Sequence, residues 1–166
     1  MPPRFLLLVL PPVLAILFLF IAPKGRAWTE TISTEQAILL HMVRLPVELV
    51  LFLLYTYKQV PQLMTFEGGN LDILSGLSAP MTWWLYKKGK VNKTVLLTWN
   101  FICLGLLVNI VSRAVLTAPL PFQQLAFDQP NVGMLYFPFV WLPCFIVPAV
   151  LFCHLAVIRK LLTAKA

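Results

Sequence analysis

The feature that most constrains this chain is a succession of apolar runs, divided by connections that hold most of its lysine and arginine. A transmembrane helix needs about 20 predominantly apolar residues. Five segments read as such spans: 5–22 (FLLLVLPPVLAILFLFIA), 36–57, 71–86, 94–116 and 134–158. Composition agrees, since 60% of the 166 residues are hydrophobic and 11% charged, against about 45–50% and about 25% in an ordinary soluble domain. A water-soluble globule could not hide that apolar surface, and a disordered chain lacks it. The sequence therefore predicts an all-α integral membrane bundle of five transmembrane helices, forming one domain over 1–166, with too little left over for a separate soluble domain.

Local signals sharpen the spans. A cleaved signal peptide competes for the first run, but its apolar core exceeds the usual 7–15 residues. Lys24 and Arg26 also follow it directly, so it reads as a retained span, bent at Pro11-Pro12. Ser33 is placed to cap the second span, with Gln36 completing a capping box. The third segment is short and holds Asp72, Gly76 and Pro80, so a re-entrant or broken helix competes with a full crossing. Charge counting favours the crossing. With five crossings, one side carries Lys24, Arg26, Lys87, Lys88, Lys90, Lys93, Arg159, Lys160 and Lys165, and the other only Arg4 and Lys58. The positive-inside bias then puts the N-terminus outside and the C-terminus in the cytoplasm. It also accounts for the net charge of +7 without nucleic acid as a partner. Asn92-Lys93-Thr94 matches a glycosylation sequon but falls on the cytoplasmic side. Cys103, Cys144 and Cys153 lie in apolar runs with no C-x-x-C, which argues against a disulfide framework or zinc site. No internal repeat suggests an inverted-repeat transporter.

The second span contains HMVRLPVELVLF, in which His41, Arg44 and Glu48 share one helical face. Arg44 and Glu48, four residues apart, are spaced for an ion pair within the helix. Pro46 leaves the Met42 carbonyl without its helical donor. Charge at mid-bilayer costs about 2.5–3.5 kcal/mol on insertion scales, so this face should turn toward protein or water. Two readings stand: a proton or ion relay or ligand anchor, or a neutralised pair that orients the helix. His154, near the end of the fifth span, is the second of only two histidines and lies at a depth similar to His41. Two imidazoles so placed are candidate ligands of a b-type haem; the competing reading gives each histidine an ordinary hydrogen bond. A second cluster lies toward the outer face. Asn70 and Asp72 open the third span, with Asn109 and Arg113 near the end of the fourth, and an Asp72–Arg113 pair would neutralise both charges. In the last span, Pro143 and Pro148 free the carbonyls of Phe139 and Cys144, which could line a pocket with Trp141. Trp28, Tyr55, Tyr57, Trp83, Trp84 and Tyr86 sit near span ends, as an interfacial belt does. The chain has no phosphate loop, H-E-x-x-H or G-x-S-x-G, which leans against an enzyme.

The segments RLPVELVLFLLY, QLMTFEGGNLDILSGLSAP and PFQQLAFDQPNVGMLYFPFVWLP resemble an uncharacterised family of small bacterial integral membrane proteins over roughly residues 40 to 160. The resemblance implies a bacterial inner (plasma) membrane and carries no activity or ligand. Span count and length are also similar to the tryptophan-rich sensory proteins, in shape only. The functional expectation is binding or transport of a small solute, ion or lipophilic ligand. Its candidate site is His41, Arg44, Glu48, His154, Asp72, Asn109 and Arg113. Transport through so few helices would require a homo-oligomer. The rivals are a non-catalytic accessory subunit of a larger membrane complex and a haem- or pigment-binding electron-transfer subunit.

Overall fold

Each long apolar run becomes a helix, the one local structure that satisfies its backbone hydrogen bonds within a single segment. The computed structural model describes residues 2–163, with side chains from Leu7 onward. The Arg4 side chain and Lys165, both used in the charge count, lie outside the described residues. Six helices and no strands are found among the described residues: α1 Pro2–Ile21, α2 Pro23–Thr31, α3 Thr34–Thr56, α4 Ile73–Lys87, α5 Lys93–Thr117 and α6 Leu142–Thr163.

Three of these, α3, α5 and α6, with 23, 25 and 22 residues, are long and apolar enough to cross a membrane. A fourth candidate is α1 and α2 together, bent by 96°. The bend follows from Ala22 in extended geometry and Pro23, which cannot donate back into α1. Gly25 permits it, because a Cβ there would lie 2.5 Å from the Leu19 carbonyl oxygen. The expected third span differs more. As α4 it has 15 residues, about 22 Å at 1.5 Å per residue, short of the roughly 30 Å hydrocarbon core. The fifth also shrinks, since its helix starts at Leu142 rather than 134. Residues Gly133–Leu135 form a 3-10 turn instead. Pro143 sits in the first turn of α6, where a missing N–H costs little. The helix opens with a π-helical turn over Leu142–Ile146, closed by Val147 N–H on the Leu142 carbonyl.

Local signals hold elsewhere. Ser33 caps α3 by accepting from Gln36 N–H at 3.5 Å. Within α3 the helix tightens into a 3-10 turn at His41–Val43, just where Pro46 removes the donor for Met42. Asn92 caps α5, accepting from Val95 N–H at 2.8 Å.

Side-chain contacts gather the connections at two ends. At one end, Arg159 pairs with Glu30 at 3.2 Å and Lys160 donates to the Ile32 carbonyl at 3.1 Å, joining the end of α6 to the α2–α3 junction. At the other, Gln129 Nε2 donates to the carbonyls of Tyr55 and Val60, and Asn131 N–H to that of Thr117. These bonds fold the 118–135 segment over the ends of α3 and α5. The core between α3, α5 and α6 is built from Leu51, Leu54, Leu107, Ile110 and Val150, sealed by Met64 and Met134 from the loops. On the far side of α3, Gly76 lets α4 approach closely: a Cβ there would meet Leu45 N at 3.1 Å.

Candidate functional site

The centre of the polar network is Arg44. It is 2% exposed, and its guanidinium reaches three elements at once. Nη1 donates to Asp72 Oδ1 at 2.7 Å and to the Cys103 carbonyl at 3.1 Å, while Nη2 lies 2.8 Å from His154 Nε2. The arginine thus ties α3 to the start of α4, to α5 and to α6. This replaces both ion pairs read from the spacing. Arg44 pairs with Asp72, not with Glu48 four residues on, because the start of α4 brings a carboxylate against the guanidinium while Glu48 turns to Asn70. Asp72 does not pair with Arg113 either. Arg113 is taken by the carbonyls of Leu63 and Gly68, both at 2.8 Å, and by Asn109 Oδ1 at 3.3 Å.

The two histidines come together, their rings stacked with centroids 4.0 Å apart and an angle of 22°. Donor logic fixes the state of His154. Arginine only donates, so Nε2 must be a bare acceptor, and the ring proton sits on Nδ1. There it donates to Asn100 Oδ1 at 3.1 Å, with the Asn100 amide nitrogen bonded to the Leu96 carbonyl at 3.0 Å. His154 is therefore neutral, with both nitrogens engaged and neither left to ligate a metal in this arrangement. His41 is fully buried, stacked on His154 and edge-on to Trp99, and neither of its ring nitrogens has a partner among the described residues. Trp99 Nε1 in turn donates to Ser78 on α4 at 3.0 Å.

Glu48, 1% exposed, accepts from Asn70 Nδ2 through Oε1 at 2.5 Å, while Oε2 is enclosed without a partner among the described residues. The Asn70 amide nitrogen also reaches the Met64 carbonyl at 3.1 Å, and its Oδ1 receives Asp72 N–H at 3.2 Å. One buried asparagine thus holds Glu48, Asp72 and the 62–70 loop in register. Arg113 clamps the same loop from α5 through its two carbonyl bonds. Its role is to position the loop, and with Asn109 it stands apart from the Arg44 cluster.

Between α3, α5 and α6 lies a cavity of about 410 Å³. Arg44, Glu48 and Asp72 form its polar end, and aliphatic residues such as Val47, Leu107, Val111, Ile146 and Val147 line nearly all the rest. Pro143 and Pro148 also line it, but Trp141 does not and is 55% exposed. Val108 and Val115 on its α5 wall are 56% and 45% exposed, and Val9 and Val13 of α1 complete the lining.

Of the seven residues singled out in the sequence, His41, Arg44, Glu48, Asp72 and His154 converge, while Asn109 and Arg113 do not. Asn100, Trp99 and Ser78 were missed, as was the role of Asn70. For Asn100 a signal existed: an amide in mid-run of the most apolar helix needs a partner.

These features define an all-helical chain with several bilayer-length helices, a buried arginine-centred network and an apolar cavity beside it. Residues 2–162 match a family described only as a domain of unknown function, DUF8737, and the chain belongs to that family. No curated protein and no solved structure matches it.

Proposed function

We propose that this chain is a bilayer-embedded protein, crossing five times, whose cavity binds a small lipophilic molecule admitted sideways from the acyl region. The observation that carries this reading is the cavity: about 410 Å³, within the roughly 300–1,000 Å³ of small-molecule sites, apolar-walled with a few convergent polar groups. The helices of bilayer length support the membrane setting. The basic residues at the start of α2, in the α4–α5 loop and at the end of α6 support a cytoplasmic location for that end, in a bacterial inner membrane. The short α4 would cross only with its ends drawn toward polar surroundings, which Asp72 at one end and Lys87 and Lys88 at the other supply.

The reading is tested by extracting the protein with its surrounding lipid in polymer nanodiscs and analysing the bound organic fraction by mass spectrometry. A Val111→Trp variant, which fills the cavity from α5, serves as the comparison. A species present near one per chain in wild type and lost in V111W supports binding. Identical extracts overturn it and favour the accessory subunit, for which the exposed aromatic side chains Phe127, Tyr136 and Phe137 would be the docking surface.

A further inference from the structure

Building on that reading, we infer that the ligand is cationic at its polar end: a protonated amine carrying an apolar body of about a dozen non-hydrogen atoms. The polar end of the cavity holds one arginine and two carboxyl groups. The positive charge is already paired: Arg44 is salt-bridged to Asp72 and bonded to the Cys103 carbonyl and His154, and only its Nε–H is without a partner among the described residues. His154 is held neutral by that contact. Glu48 therefore has no counter-charge within bonding distance among the described residues, only the neutral Asn70 amide on one oxygen. Its second oxygen, Oε2, is buried without a partner among the described residues, an unfavourable state for a polar group taken out of water. An ammonium seated at this end supplies the donor that Oε2 lacks and the counter-charge against which the Glu48 carboxyl group can ionise.

The walls decide what kind of cation fits. A hard inorganic ion needs six or more oxygens in place of its water, and this cavity is lined almost wholly by aliphatic side chains. An organic ammonium needs only the carboxyl group, because its apolar body matches the walls. At about 30 Å³ per atom, the share one water takes in the liquid, 410 Å³ holds a body the length of a decyl chain. The exposed Val108 and Val115 on its α5 wall suit a ligand that partitions into the bilayer before it binds.

The test uses the full chain in lipid nanodiscs with methionine methyl groups labelled with ¹³C. Met64 and Met134 line the cavity and are 2% and 5% exposed, whereas Met42 and Met81, at 39% and 66%, lie outside it and report mere partitioning into lipid. Decylammonium, decanol and decanoate are titrated separately. The expected result is a saturable shift of Met64 and Met134 alone, with decylammonium binding at least tenfold tighter than decanol and decanoate weakest. In Glu48→Gln, decylammonium affinity should fall about tenfold or more. Decanol affinity should hold, which also shows that the variant is folded. Decanol binding equal to or tighter than decylammonium, or a preference for decanoate, overturns the cationic assignment and leaves the cavity reading intact. Absence of any saturable shift at Met64 and Met134 with all three probes overturns both.

Discussion

The Arg44–Asp72 pair gives the sharpest test of the network. Both groups are buried, at 2% and 4% exposure, with a contact of 2.7 Å. Removing one partner of such a pair leaves an uncompensated buried charge, so Asp72→Asn and Arg44→Met should each cost about 3–5 kcal/mol. Were the two sites independent, the double variant would lose the sum, about 6–10 kcal/mol. Because R44M/D72N leaves neither charge behind, its cost should be about 2–4 kcal/mol, mostly for the unpaired His154 Nε2 and lost packing. The coupling is then at least about 2 kcal/mol. Arg113 provides the contrast. Its bonds go to Leu63, Gly68 and Asn109, so D72N combined with Arg113→Met should be additive within about 0.5 kcal/mol. Reversible unfolding in lipid bicelles, or steric trapping, measures all these quantities. A D72N cost below about 1 kcal/mol, as for a solvated surface pair, would refute the desolvated-pair argument. So would additivity between positions 44 and 72.

Other outcomes follow from the same geometry. Nitrogen-15 spectra of His154 should show a protonated Nδ1 and a bare Nε2, and in Arg44→Met the signature should become mixed; an Nε2–H in the wild type would contradict the donor assignment. Purified protein should be colourless between 350 and 700 nm, since both His154 nitrogens are occupied; a stoichiometric Soret band lost in H41A or H154A would refute this and support the haem reading. Gly25→Ala places a methyl group 2.5 Å from the Leu19 carbonyl oxygen, so it should open the α1–α2 corner, seen as a changed spin-label distance between positions 17 and 28. Cysteine accessibility mapping should label the α4–α5 loop from the same side as residue 24, and labelling from opposite sides would show that α4 does not cross.

How far the sequence reached depends on whether the signal was local. Apolar runs specify helices because each satisfies its own backbone bonds, and the Ser33 cap depends on a residue three positions away. His41, Arg44 and Glu48 could be assigned to one face from helical periodicity alone. The sequence likewise indicated which polar groups were too deep to remain unpartnered. Partner choice was not local. Arg44 lies 28 residues from Asp72 and 110 from His154, and only the packing of α4 and α6 on α3 decides that these, rather than Glu48, satisfy the guanidinium. The assignment of Arg113 to two loop carbonyls was equally hidden, because backbone acceptors carry no sequence signature. Proline positions showed where helices would be disturbed, but not that α6 would begin eight residues late or that α4 would stop at 15 residues. The cavity is the clearest case: its walls are ordinary aliphatic residues, and only the packing of α3, α5 and α6 with α1 and the 118–135 segment leaves space between them, with Glu48 Oε2 buried and without a partner among the described residues.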